Sequence, residues 1–188
     1  MGKDMKIGKV NMKDENISKW NMHGHIIIPV EFEKTSDLIE WKDLFPSWIH
    51  EEEEEEKVVP ICPKIPMPNF SNYNTNMDII VAKLPCKYPK EGWSRDVFRL
   101  QVHLVVANLV VNRGKKDWNG KTKVVILSKC RPMVELFRCD DLVKHEGDWW
   151  YYQMDVVKLE QKRKIVNSFW IIPGHTNTLR LLLQLCNL

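Results

Sequence analysis

A chain of 188 residues with 44% hydrophobic residues and eight Trp has the length and the apolar material for one compact domain. A formal net charge of +3 lacks the strongly basic balance of a nucleic-acid binder, so no nucleic-acid partner is expected. The longest apolar runs, Leu104–Val111 and Leu179–Leu185, fall far short of the ~20 residues a membrane span needs, and MGKDMKIGKVNMKDEN at the N-terminus has no apolar signal-peptide core.

Lys6–Val10 predicts a short strand. His25–Phe32 (HIIIPVEF) is β-branched and apolar and predicts a second, with Pro29 favouring an edge or a bulge. Ile39–His50 predicts a helix or loop around Pro46 whose Trp41, Leu44, Phe45, Trp48 and Ile49 cover the core. The acidic run Glu51–Glu56 repels itself, which predicts a solvated connector rather than the fixed geometry of a calcium site. Residues 1–57 thus form irregular N-terminal strands and loops, and residues 58–76 follow as an extended loop, since Pro60, Pro63, Pro66 and Pro68 fix φ and remove donors.

Residues 77–164 carry an α/β module. Met77–Leu84 is a continuous apolar run, as in a fully buried parallel strand. A long helix follows, with Ser94 as its expected N-cap, Asp96 in its first turn, and Arg113-Gly114 as its basic end and C′ glycine. Its apolar arc leaves only the line through Arg99 and His103 polar, which predicts burial against a sheet on one side and something else on the other. Thr122–Leu127 is the next strand, completing a βαβ unit. Met133–Leu142 predicts a short helix, and Trp149–Val156 a strand at the sheet margin. The expected fold is a small three-layer α/β domain with a mainly parallel sheet. Residues 165–188 are an atypical apolar tail.

No chemistry of a known type emerges. The turn after the first buried strand has one glycine, Gly92, and two prolines, Pro85 and Pro89, which is no phosphate cradle; Lys83, Lys87 and Lys90 offer at most weak anion contact. His23 and His25 stand two apart and His50 is remote, without the spacing of a metal site. Asp140 and Asp141, beside Cys139, diverge around a helix rather than pair as acid and base. Cys130 has His103 and His145 elsewhere in the chain but no nucleophile motif. Five cysteines, including Cys62, Cys86 and Cys186, with no C-x-x-C, make neither a disulfide scaffold nor a zinc ribbon. Asn16 and Asn69 begin sequons, which permit a secretory location without showing one. No residue is assigned a catalytic, cofactor-binding or metal-ligating role.

Several strings, among them WKDLFPSWIHEEE, CPKIPMPNFSNY, DIIVAKLPC, EGWSRDVFRLQVHLVVANL, KVVILSKCRPMVELFRCDDLV and EGDWWYYQMDV, resemble the N-terminal region of the plant glycogenin-like starch initiation proteins, the xylan glucuronosyltransferases of glycosyltransferase family 8. The resemblance runs from Lys6 to about Glu160. It implies a type II Golgi enzyme that transfers glucuronic acid from UDP-glucuronate to xylan with manganese held by an Asp-x-Asp motif. No Asp-x-Asp occurs in this sequence. The expectation is therefore a module that is inactive alone, with xylan or a glycosyltransferase as possible partner; manganese and UDP-glucuronate belong to the full-length enzyme. After Lys164 the chain departs from the family's continuation, as in a truncated or misjoined reading frame. The alternative is a non-catalytic carbohydrate- or partner-binding module that uses Trp149, Trp150, Tyr151 and Tyr152, about half of which face the core by strand alternation.

Overall fold

A computed structural model describes residues 4–12, 24–44 and 63–160. Expectations that fall on the acidic run, His23, His50, Phe45, Trp48, Ile49, Pro60, Cys62, Cys186, Asn16 and the tail lie outside these residues. Six strands form one sheet: β1 (Lys6–Val10), β2 (Ile26–Val30), β3 (Ile79–Lys83), β4 (Lys121–Leu127), β5 (Leu142–Glu146) and β6 (Trp149–Asp155). Their spatial order is β2-β1-β3-β4-β6-β5. The pairs among β2, β1, β3 and β4 are parallel, while β6 runs antiparallel to both β4 and β5. The mainly parallel α/β sheet expected from the sequence is thus present. β2 is an edge strand, where Pro29, which has no N–H to donate, is tolerated.

The short helix α1 (Trp41–Leu44) precedes β3, and the long helix α2 (Val97–Arg113) connects β3 to β4. α2 starts later than expected. Its N-cap is Asp96, whose carboxylate accepts from the Arg99 N–H at 2.8 Å, whereas Ser94 lies in a 3-10 turn over Trp93–Arg95. Gly114 at the other end has φ −67° rather than a left-handed conformation. Glycine is required there by close approach: a Cβ would meet the Val110 carbonyl at 2.6 Å and Thr122 at 2.5 Å. The bond from the Met77 N–H to the Arg113 carbonyl, 2.7 Å, fixes that crossing, so Met77 stands outside β3.

α2 is buried almost all round. Leu100, Leu104, Val105 and Leu109 pack with Ile80, Ala82, Val124 and Ile126 of the sheet in the main core. Arg99 and His103, expected to form a polar line, are only 4% and 0% exposed. Their partners lie in irregular segments laid over the helix, which form the third layer. Gln101 is the clearest instance. Its amide nitrogen donates to the carbonyls of Glu33 (2.8 Å) and Pro66 (2.5 Å), and its oxygen accepts from the Thr35 N–H at 2.9 Å. His103 Nε2 accepts from the Met133 N–H at 3.1 Å, Arg99 donates to the Arg131 carbonyl, and Arg113 donates to the Phe70 carbonyl at 3.2 Å.

The expected helix over residues 133–142 does not form. The Phe137 N–H closes one turn on Met133 at 2.8 Å; then Arg138 is extended at ψ 153°, which lets Leu136 and Phe137 enter the core and starts a 3-10 turn at Cys139–Asp141. β5 follows, a strand that sequence reasoning missed. It makes a hairpin with β6 through Gly147 at φ 57°, the positive φ that two-residue hairpin loops need. β6 is consequently an inner strand, and β5 is the margin. Replacing Gln101 with Leu strands buried backbone groups of two segments at once; we expect a loss of about 1–3 kcal/mol or more in chemical denaturation and faster hydrogen exchange at the Thr35 amide.

Candidate functional site

With four parallel strands in the order β2-β1-β3-β4, the chain moves outward from β1 to β2 and then returns across β1 to β3. The reversal leaves a crevice beyond the carboxyl ends of β1 and β3, where open α/β sheets bind ligands. A cavity of about 670 Å³ occupies this place, lined by Asn11, Lys83, Phe98, Leu127, Lys129 and Asp148 among others. A second, of about 520 Å³, shares Asn11, Met12 and Phe98 with it and extends towards Lys9, Glu31 and Lys34 beside β2.

Each wall has a local cause. Asn11, directly after β1, has φ 53°, a left-handed conformation that asparagine tolerates better than most residues. Its Nδ2 donates to the Lys83 carbonyl at 2.8 Å, so the turn is held against the end of β3. Phe98 enters from the first turn of α2, with the Lys34 ammonium 5.5 Å from its ring centroid. The rim beyond β4 is fastened by Ser128, whose Oγ accepts from the Cys130 N–H at 3.1 Å and whose carbonyl accepts from the Trp150 indole at 2.9 Å.

Cys86 and Cys130 form a disulfide with Cα atoms 5.5 Å apart. It joins the segment after β3 to the segment after β4, on the rim of the larger cavity. Sequence reasoning missed this bond because the cysteines stand 44 residues apart with no spacing motif. Cys130 is thereby excluded as a nucleophile. His103 lies in the core and His145 stacks on Trp150 with ring centroids 3.6 Å apart, so these three residues do not assemble a site.

The other candidates separate as well. His25 Nδ1 accepts from the Met5 N–H at 3.4 Å, and no group of three His, Cys, Asp or Glu suited to a metal occurs among the described residues. The Arg138 guanidinium pairs with Asp140 and lowers its pKa, while burial raises that of Asp141. Cys139 Sγ receives a hydrogen bond from Arg131 at 3.0 Å. Lys87 pairs with Asp96, and only Lys83 of the three lysines in the basic turn lines the switch-point cavity. Trp150 and Tyr152 are buried, at 8% and 3% exposure, and burial pushes the Tyr152 hydroxyl up to about 12. Trp149 and Tyr151 occupy the opposite face.

A family profile described as the GUX1-5 N-terminal domain matches residues 1–167. The chain belongs to this family. It is 54% identical over 157 residues to "UDP-glucuronate:xylan alpha-glucuronosyltransferase 2" of Arabidopsis thaliana, with 84% of this chain covered and 26% of the relative. It is 36% identical over 181 residues to "Putative UDP-glucuronate:xylan alpha-glucuronosyltransferase 4" of the same plant, covering 92% of this chain and 31% of that one. It is 36% identical over 168 residues to its "UDP-glucuronate:xylan alpha-glucuronosyltransferase 1", covering 85% and 24%. The chain therefore spans about a quarter to a third of the length of these relatives. No solved structure matches it.

Two outcomes follow from the geometry of this GUX1-5 N-terminal domain. A cross-link across 44 residues stabilises the fold by about 4 kcal/mol in the chain-entropy account, so dithiothreitol lowers the denaturation midpoint of the native chain and leaves that of a Cys86→Ser, Cys130→Ser double variant unchanged. His103 is held neutral by burial, and secondarily by the Arg99 charge, well below the ordinary 6.5. The unfolded chain takes up that proton and the folded one does not, so stability falls as pH drops below about 6.5 and is unaffected by this group above it. His103→Gln, measured by denaturation across pH 5–7.5, flattens that acid limb by about 1.4 kcal/mol per pH unit.

Proposed function

We propose that this chain is the N-terminal, non-catalytic α/β module of a xylan glucuronosyltransferase, acting together with a donor-binding portion of the kind that makes up the remainder of its longer relatives. The observation that carries the reading is the family match over residues 1–167, joined to 54% identity with a protein named for glucuronate transfer to xylan. In support, the sequence has no Asp-x-Asp, and the described residues bring no metal-ligand cluster together, so they do not fit the manganese that a UDP-glucuronate-dependent transferase of this type uses. No step of the reaction is assigned to them. The ion and the nucleotide sugar belong to the donor-binding portion, where a divalent cation would offset the charge of the diphosphate leaving group.

The disulfide supports a location. Cross-links of this kind persist in oxidising compartments and are rare where thiols are kept reduced, so Cys86–Cys130 suits folding in the secretory pathway, in keeping with the Golgi lumen. Among the described residues, no helix is long and apolar enough to cross a membrane.

The deciding experiment is a transfer assay with UDP-glucuronate, manganese and xylo-oligosaccharide. This chain alone gives no turnover above a control without protein. Placed in the full-length Arabidopsis relative 2 in exchange for the matched N-terminal region, it supports transfer. Turnover by the isolated chain would overturn the non-catalytic reading; a folded but inactive exchange protein would overturn membership of the working enzyme.

A further inference from the structure

The two cavities beyond the carboxyl ends of the parallel strands share Asn11, Met12 and Phe98 and so make one elongated trough. We propose that this trough binds the polysaccharide itself, as a xylan strand that already bears glucuronate, rather than the nucleotide donor. The inference rests on the proposed role of the module for its choice of polymer.

The charge pattern argues for this class of ligand. A diphosphate at a switch point is held by free N–H groups at a helix N-terminus. Here that end of α2 is occupied by the chain's own Asp96 carboxylate, bonded to the Arg99 N–H at 2.8 Å and paired with Lys87, so the place of an anion is already taken. The trough instead carries dispersed charges of both signs, four lysines (Lys9, Lys34, Lys83 and Lys129) against the carboxylates of Glu31 and Asp148, with Lys34 paired to Asp37. Lys9 lines the smaller cavity and Lys129 the larger, and neither has an ion-pair partner among the described residues. Lys9 lies within β1, level with Val125, and Lys129 lies two residues beyond the end of β4, so the two are separated both across the sheet and along the strands. Separate ammonium groups suit carboxylates spaced along a polymer, whereas a diphosphate calls for concentrated donors.

The remaining lining suits sugar rings. Phe98 presents an aromatic ring common to both cavities, and its own backbone is fixed in the first turn of α2. Asp148 and Glu31 supply acceptors for hydroxyls, and Asn11, whose Nδ2 is spent on Lys83, retains its amide oxygen. The rim is held by the disulfide, which limits the ordering cost of binding a flexible chain. Leu127, in the wall, pairs in register with Trp149 of β6, so the half-buried face of the aromatic strand begins beside the trough.

The isolated chain is titrated, by calorimetry or by NMR, with a xylo-oligosaccharide bearing one glucuronate, with the same oligosaccharide unsubstituted, and with an oligogalacturonate of equal length. We expect saturable binding of the glucuronate-bearing ligand, at least fivefold tighter than the unsubstituted one and than the oligogalacturonate. Lys129→Gln and Lys9→Gln each weaken that binding three- to tenfold without changing affinity for the unsubstituted chain, and Phe98→Leu weakens both xylo-ligands while thermal denaturation shows each variant folded. Absence of saturable binding overturns the proposal. So does binding that is indifferent to the lysine substitutions, or oligogalacturonate binding as tight, which marks a general polyanion contact. Supported transfer by the exchange protein together with no oligosaccharide binding sinks the trough alone and leaves the role of the module standing; bound oligosaccharide with an inactive exchange protein does the reverse.

Discussion

Gln101 sits at 0% exposure in the second turn of α2 and holds backbone groups of residues 33, 35 and 66 on a single amide. The rest of the domain depends on that kind of contact. A helix flanked by strands on one side only needs an apolar stripe and can leave its other face to water. α2 is covered on both sides, and its outer cover is largely irregular chain with only single turns, at Phe70–Asn72 and Met133–Phe137, to bond its own backbone. Burying such chain is costly unless each N–H and carbonyl finds a partner. Gln101, Arg99, His103 and Arg113 supply those partners from the helix. The third layer is thus specified by polar side chains in a position where a conventional helix would present solvent-facing ones.

The same arrangement shapes the carboxyl edge of the sheet. α2 must cross from the end of β3 to the start of β4, and Gly114 permits the tight passage past Thr122. Its first turn then delivers Phe98 to the edge, while Asp96 closes the helix terminus that could have held a phosphate. On the far side of the cavity, the disulfide and the contacts of Ser128 tie the two strand-end segments together. The crevice is therefore built by strand order, floored by a turn at Asn11 and bordered by the Cys86–Cys130 disulfide. Its lining combines lysines, carboxylates and one aromatic ring, which is the set the proposed binding role draws on.

That division makes sense for a domain that spans about a quarter to a third of its relatives. A transferase acting on a long polymer must hold the strand as well as activate the donor, and binding remote parts of a substrate contributes to positioning at the reacting centre. A rigid trough on a separate module can meet the first need without constraining the second. The mild +3 charge of the whole chain is compatible with such a surface, since a few well-separated ammonium groups discriminate an acidic polymer without attracting anions indiscriminately.

Much of the frame was legible in the residues. Lys6–Val10 predicted β1 and apolar runs located β3 and β4, Pro29 favoured an edge or a bulge in β2, which is an edge strand, and the width of the apolar arc on α2 announced burial on two sides. The alternation of Trp149 to Tyr152 correctly divided those rings between two faces. Local signals failed where a local preference competed with a distant partner. Ser94 is a good cap by type, but Asp96 is the residue that the chain path places at the helix start. Residues 133–142 have helical spacing, yet burying Leu136 and Phe137 stops the helix after one turn and frees β5 to pair with β6. The sequence by itself determined the α/β class and five of the six strands, because these rest on periodicity and composition within short windows, and it indicated the family through the likeness of long strings. Only the tertiary structure decided that Cys86 meets Cys130, that Arg99 and His103 are buried, and that Lys9, Phe98 and Lys129 converge on one edge. Those facts depend on strand order and on hydrogen bonds between distant segments, for which no local spacing carries a signal.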